Sequence, residues 1–413
     1  MVDRICALLG SALGVLMAYF AVYWTVGLFC KAKKPRKAEK QRRFGVIIAA
    51  RNEEKVIGAL LDSIKEQSYP RELVTVFCVA DNCTDATASI AGEKGAVVYE
   101  RTDPTLARKG YALEFLFDNI GKDHGISAFD AFVFFDADNT LDPRYLEEMN
   151  AAMDSGADVV TGYRMASNFD DNFISAAYGI HFLRSNAFAH RPRSLLGIST
   201  HVAGTGFGVR SAVLEGGWHF HSLTEDTEFT MWAVSRGLRI DYCESAMFFD
   251  EQPVSLRVAV RQRIRWIKGR LFCFVAYAAP LIRGLFSERG RGAFSCYDMF
   301  FYIFPKALFN FMLSLTSAVF AGIALRYATL AEAAYSLLIS ALGLAAVACA
   351  TVIRERKNVP IRGVRLLWFV LAFPWFDLVA LPLSLFALFA PVKWKPIPHT
   401  GKRGEVGAVM NRP

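Results

Sequence analysis

Two carboxylates one residue apart, Asp136 and Asp138, close a run of four apolar residues, Phe132-Val-Phe-Phe135. Such a run reads as a central strand buried on both faces. Ligands of open α/β sheets bind at the carboxyl ends of strands like this one. Side chains at i and i+2 of extended chain point the same way, so both carboxylates can converge on one ion. Oxygen ligands of this kind suit Mg²⁺ or Mn²⁺ shared with a substrate phosphate. The same residues also make a strand end followed by an Asx turn at Asp138 and Asn139, and the pair alone does not choose between the two. Its neighbours must.

The elements that would position the pair are legible around it. Phe44–Ala50 reads as a strand, and 53–67 as the helix after it, with Val56, Ile57, Leu60, Leu61 and Ile64 at helical spacing. Further strands are expected at 73–80, 96–99, 132–135, 158–162 and 239–243. Alternation of strands and helices predicts a mostly parallel sheet. No G-x-G-x-x-G follows the first strand, which argues against a dinucleotide fold. Acidic and polar residues stand there instead: Arg51-Asn52-Glu53-Glu54, then Asp81-Asn82 after the second strand.

The chain of 413 residues is 53% hydrophobic and carries a formal charge of +8, which allows one large soluble domain plus membrane spans. Its eight cysteines lack any C-x-x-C or zinc-type spacing, as expected of reduced thiols facing a cytosol. Ile5–Phe29 is uncharged and long enough to cross about 30 Å of hydrocarbon. The basic run 31–43 that follows is cytoplasmic by the positive-inside rule. It lacks the interleaved aromatics of a nucleic-acid patch, so anionic lipid is the expected partner and nucleic acid is not. Three later stretches are span-length, 307–325, 333–353 and 366–390, the last broken only by Asp377. Three spans would leave the tail outside, whereas its lysines favour inside. Pro374 and Pro382 suggest a broken or re-entrant last segment. Asp377, a charge within an apolar run, is expected to face a partner or a polar path.

Several motifs occur in one order: Ala50-Arg51-Asn52-Glu53, Asp81-Asn82-Cys83-Thr84-Asp85, Lys109-Gly110, Asp136-Ala137-Asp138, Thr224-Glu225-Asp226 and Gln262-Arg-Ile-Arg265-Trp266. In that order the chain resembles the family 2 glycosyltransferases. Within them it is most similar to the membrane-embedded processive β-glycan synthases, such as the cellulose, hyaluronan and poly-N-acetylglucosamine synthases. The resemblance runs from about Phe44 to Trp266 and rests chiefly on the Thr-Glu-Asp and Gln-x-x-Arg-Trp pair after an Asp-x-Asp.

The resemblance implies a cytosolic α/β domain of the GT-A type at 44–250 with flanking transmembrane helices. An anchor at 1–30 and a basic linker at 31–43 would precede it. Interfacial amphipathic helices at 251–295, a transmembrane region at 296–391 and a basic tail at 392–413 would follow. The implied activity is inverting, metal-dependent hexosyl transfer from UDP-glucose or UDP-N-acetylglucosamine to a growing β-linked glycan. Export across the cell membrane would be coupled to it, with accessory export or assembly subunits as further partners. Transfer of one sugar to a polyprenyl-phosphate carrier is the alternative.

The resemblance also assigns residues. Asp226 would be the base, with Glu225 beside it. Ala50, Arg51, Asn52, Glu53, Asp81, Lys109, Asp136, Gln262 and Arg265 would bind the donor. Asp138, with Asp136, would hold Mg²⁺ or Mn²⁺. Trp266, Gly204 and Thr205 would meet the acceptor. Glu225 and Lys109 also read as a turn carboxylate and a solvated lysine, and Trp266 as a membrane-interface aromatic. His219-x-His221 reads as a loop pair without a third ligand. Residues 255–278 alternate basic and apolar side chains, as in a helix resting on headgroups.

Overall fold

The computed structural model describes residues 2–33, 37–306, 308–312, 328–390 and 392. The apolar runs do become buried strands. β1 (Phe44–Ala50) pairs in parallel with β2 (Val74–Asp81) on one side and β4 (Ala131–Asp136) on the other. β3 (Val97–Arg101) extends the sheet beyond β2, again in parallel. Successive side chains of β1 point to opposite faces. Ile47 packs with Phe77 and with Leu113, Leu116 and Phe117 of α5 (Lys109–Asp123). Val46 and Ile48 pack with Ile57, Leu60 and Leu61 of α3 (Ile57–Lys65), and with Leu146 and Met149 of α6 (Tyr145–Met153). Burial on both faces is why these strands carry no hydrophobic alternation.

The second half of the sheet differs from the expectation of a mostly parallel one. β7 (Phe207–Arg210) lies antiparallel between β4 and β6 (Val159–Ala166), and β8 (Ile240–Asp250) runs parallel to β6. The short β5 (Thr140–Leu141) closes the edge antiparallel to β8, completing an eight-stranded mixed sheet. β7 was not foreseen because Phe207-Gly-Val-Arg210 is four residues long and carries a glycine, too little for a strand signal.

The chain's ends build the apolar part. The first apolar run forms α1 (Val2–Leu16) and α2 (Phe20–Phe29), bent by 41° at the break between them. The stretch expected to lie on headgroups at 255–278 is longer than that, a 32-residue helix α10 (Leu256–Ser287) that passes the length and hydropathy test for a span. After α11 (Arg291–Ile303), the stretch at 307–325 falls mostly outside the described residues. α12 (Ala328–Arg354) covers the next expected span. α13 (Val364–Leu378) and α14 (Ala380–Phe389) follow one another with a single residue between, and together run long enough to cross. Among the described residues three helices can therefore span a membrane, or four with the bent pair.

Buried charges tie these helices to the sheet domain. Asp298 of α11 is fully buried and takes Arg193 Nε at 2.6 Å from the helix α8 (Arg191–Leu196). The hydroxyls of Tyr19 and Tyr23 donate to the same carboxylate at 2.8 and 3.0 Å. Glu355, just past α12, takes Arg191 at 2.6 Å and the Tyr163 hydroxyl of β6 at 2.7 Å. Buried ions persist only when paired and hydrogen-bonded, and here the partners come from both ends of the chain.

Candidate active site

The carboxyl ends of β1, β2 and β4 open into a cleft of about 270 Å³. Ala50, Arg51, Glu53, Asp81, Lys109, Asp136, Asp138, Gly204, Thr205, Glu225, Asp226, Gln262, Arg265 and Trp266 all line it. Asn52 is set to one side. Its φ is +57° and its Oδ1 accepts the Thr84 backbone N–H at 2.8 Å, so it shapes the turn rather than the wall.

At the β2 end Asp81 is held between two arginines. Arg51 Nη2 reaches one carboxylate oxygen at 2.5 Å, and Arg101 Nη1 reaches the other at 2.7 Å. Asn82 Nδ2 also donates to the oxygen that Arg101 holds, at 2.8 Å; a carboxylate has about four acceptor sites, so a ligand would find its place on the oxygen facing Arg51. Arg101 carries no motif signal, and only the parallel register of Asp81 and Arg101 brings it there.

At the β4 end the turn expected from Asp138 and Asn139 is present, with Asn139 N–H donating to Asp136 C=O at 3.1 Å. Thr205 Oγ1 accepts the Asp136 N–H at 2.9 Å and donates to Asn139 Oδ1. The loop that carries Thr205 therefore braces the carboxylate strand, and the turn leaves both carboxylates on the cleft. Asp136 and Asp138 are oxygen donors of the kind that a hard divalent ion takes. Among the described residues no group of three or more His, Cys, Asp or Glu side chains is placed to hold a metal by itself.

Lys109 is not a solvated lysine. It contacts Asp136 Oδ1, donates to Gly204 C=O at 2.9 Å and lies 3.9 Å from Glu225 Oε1. Burial works against its charge, but Asp136, Glu225 and Asp226 outweigh that and hold its pKa above the ordinary value. The neighbouring glycine has a steric reason: a Cβ at Gly110 would stand 2.0 Å from Phe220 C=O.

Glu225 and Asp226 open α9 (Glu225–Ser235), where the unpaired N–H groups of a first turn favour negative charge. Burial nevertheless raises both carboxyls above their usual range, with Lys109 and Arg265 pulling each back. The pair is coupled and titrates as a unit. α10 can approach this turn only through Gly269, whose Cβ would fall 2.2 Å from Thr224 Oγ1. Close approach of α10 puts Gln262, Arg265 and Trp266 on the cleft.

The cleft does not end at these motifs. α7 (Phe173–Ser185) is fixed at its start by a capping box between Asn172 and Ser175 and passes into a π-turn at 186–190 before α8. His181, Ser185, Asn186 and His190 from this stretch line the cleft, with His201, Arg270 and Tyr302. Arg164 of β6 and Asp250 of β8 form a buried ion pair on its wall. None of these was found from the sequence, because no local motif marks them. His219 and His221 lie apart from the wall, sharing Glu114 at 3.5 and 3.0 Å.

The family described as Glycosyltransferase like family 2 matches residues 41–269, more than half of the chain. This chain belongs to that family. The chain is 28% identical over 67% of its length to the probable glycosyltransferase YdaM of Bacillus subtilis. It is 24% identical over 66% of the chain to the beta-monoglucosyldiacylglycerol synthase of a Nostoc species. The matches span 66% and 60% of these relatives' own lengths, under two thirds in each case. Among solved structures it resembles the mannosyltransferase PcManGT of Pyrobaculum calidifontis, in complex with GDP-Man and Mn²⁺, with a TM-score of 0.61 at 18% identity. That likeness covers 87% of this chain and 99% of the mannosyltransferase, and identifies the fold as GT-A-like.

Proposed function

We propose that this protein is an inverting glycosyltransferase that moves a sugar from UDP-glucose or UDP-N-acetylglucosamine onto a growing β-linked glycan on the cytosolic side of the cell membrane. The carrying observation is the polar lining that the cleft holds besides its motif residues. His181, Ser185, Asn186, His190, His201 and Tyr302 share it with Trp266. Ser185 and His190 bond each other, but His201 Nδ1 is buried with no hydrogen-bond partner among the described residues; a sugar hydroxyl can supply one, whereas a lipid tail would leave it unpaired at a cost.

In this reading Asp226 accepts the proton of the attacking hydroxyl as its oxygen bonds to the anomeric carbon. The bond from that carbon to the diphosphate breaks on the opposite face, which inverts the configuration and puts the electron pair on the departing diphosphate. Arg265 offers that diphosphate a guanidinium fork, and Lys109 stays charged beside it. Asp138 and Asp136 would hold Mg²⁺ or Mn²⁺, which when bound acts as a Lewis acid toward the leaving group. Asp81, with Ala50, Arg51 and Glu53 around it, would meet the nucleoside. Trp266, with Gly204 and Thr205 nearby, would lie under the acceptor sugar.

A second reading has one specific support. The name of the Nostoc relative describes glucose transfer to diacylglycerol, a lipid acceptor. The products separate the two. Membranes given labelled UDP-sugar should make a high-molecular-weight, solvent-insoluble product that hydrolases specific for β-linkages degrade, and Trp266→Ala should lose it while keeping UDP binding. A solvent-soluble product with a single labelled sugar, however long the incubation, would end the glycan reading.

A further inference from the structure

Three histidines, His181, His190 and His201, line the cleft on the side of Trp266, and the transfer reaction as described uses none of them. They differ in what they can offer a ligand. His190 has both ring nitrogens engaged, by Thr200 Oγ1 at 2.8 Å and Ser185 Oγ at 3.1 Å. His181 has one engaged: Arg184 Nη2 lies 3.1 Å from its Nδ1. A guanidinium can only donate, so Nδ1 is the accepting nitrogen and the proton of the neutral ring sits on Nε2. Burial, then the charge of Arg184, push this imidazole's pKa down to about 3, so the ring is neutral at physiological pH. Among the described residues Nε2 has no hydrogen-bond partner, and His181 is a wall of the cleft.

Arg184 is held in turn. It forms an ion pair with Asp377 of α13 and lies 5.4 Å from the centre of the Phe373 ring. Asp377 is the charge that interrupts the last apolar stretch, so its partner and its reason for being there are now visible. One turn before His181 on α7, Tyr178 meets the Trp266 ring edge-on with centroids 5.9 Å apart. Residues three apart share a helix face, which sets His181 beside the place proposed for the acceptor sugar.

We propose that Asp377 and Arg184 act as positioning residues that fix His181 Nε2–H as a hydrogen-bond donor to a hydroxyl of the acceptor sugar held at Trp266. This rests on the glycan reading above. A hydroxyl oxygen accepts such a bond and an alkyl chain does not, so the device discriminates among acceptors and leaves the donor alone. The second ring nitrogen of a histidine is set by what holds the first, and here the holding group is anchored in a membrane helix.

The test is initial-rate kinetics on the full-length protein in membranes, with UDP-sugar as donor and short β-linked glucose or N-acetylglucosamine oligosaccharides as acceptors. His181→Ala should raise the acceptor KM about three- to tenfold, the worth of one neutral hydrogen bond, with the donor KM unchanged. His181→Gln, whose amide N–H replaces Nε2–H, should restore most of it. Asp377→Asn should raise the acceptor KM in the parent protein and have no further effect in the His181→Gln background, because an amide has no tautomer to fix. An unchanged acceptor KM in His181→Ala, or a loss that Gln does not rescue, overturns the inference. Equal effects of Asp377→Asn in both backgrounds make the ion pair structural and overturn the relay. If Asp377→Asn does not accumulate, the Ala and Gln variants at 181 decide alone. A parent protein that glycosylates diacylglycerol vesicles and no saccharide removes the glycan reading and this inference with it; that result is read without any variant, so the two failures are distinct.

Discussion

Lys109→Met removes the one ammonium set among Asp136, Glu225 and Asp226 while keeping the length of the side chain. Lys109 Nζ stands 3.9 Å from Glu225 Oε1, and both side chains are less than one fifth exposed. At an effective dielectric near 20, a unit charge at that distance is worth about 4 kcal/mol, roughly three pK units. Water entering the space left by the ammonium takes part of that back, so about two units is the expected shift. The sign follows from the chemistry. Lys109 lowers the pKa of both Glu225 and Asp226, so its loss raises the pair. A base works only when deprotonated, so the acidic limb of the kcat/KM profile should move to higher pH by about two units. Turnover at neutral pH should collapse and recover in part at more alkaline pH. Lys109→Arg keeps the charge and should leave the limb in place. The assay is release of UDP across pH at fixed ionic strength. A Met variant whose rate falls equally at every pH, with the limb unmoved, would refute the electrostatic reasoning and leave Lys109 as a mere brace for Gly204.

Asp226→Asn keeps the shape of the base and removes its function, so turnover should fall by about 10²- to 10⁴-fold while calorimetry finds UDP affinity intact; loss of both would move Asp226 into the nucleotide pocket. Asp138→Ala should abolish turnover and EDTA should silence the parent protein, with Mg²⁺ or Mn²⁺ restoring it; full activity in chelator would remove Asp138 from metal binding. Gly110→Ala places a methyl 2.0 Å from Phe220 C=O, so the melting temperature should drop by the equivalent of about 1–3 kcal/mol, whereas an unchanged melt would mean the backbone at 220 yields freely. The pair at the start of α9 also sets a stability trend. Its folded-state pKa lies above the unfolded value, with Glu225 raised from 4.5 to about 7. Its contribution is therefore most favourable below the unfolded value and is lost as pH rises through that window, which melts across pH in the Asp226→Asn and Glu225→Gln variants can check.

What the sequence made legible follows from where the information is local. β1, β2 and β4 are buried on both faces, so their residues are apolar in unbroken runs and their ends are marked by the first polar residue: Arg51 after β1, Asp81 closing β2, Asp136 closing β4. The donor side of the cleft sits at those ends and was readable for that reason. Arg101 was not, nor were Arg164, Asp250 and the three histidines: the first reaches Asp81 and the others the cleft through strand register or helix packing, and all sit in unremarkable sequence. Asn52 was grouped with its motif neighbours, but a positive φ turns it to Thr84. α10 is longer than the stretch expected at 255–278 because its first half is basic whereas its second half is apolar apart from Arg283 and Ser287.

The same division bears on what this protein selects. On the proposed function, donor chemistry falls on strand ends that two packed layers fix in place, and Asp81, Asp136 and Lys109 are each held there by partners from other elements. The acceptor would then lie against α7, the π-turn, α10 and α11, the elements that the apolar helices grip. Asp298 joins α11 and α8 to the first helical pair, Glu355 joins α8 and β6 to α12, and Asp377 joins α7 to α13. Motifs at the strand ends identify the family because that half of the cleft is built from local sequence. If the acceptor lies as proposed, substitutions among Asp298, Glu355, Asp377 and their arginines are expected to change the product while sparing the donor, which product analysis beside UDP binding can check.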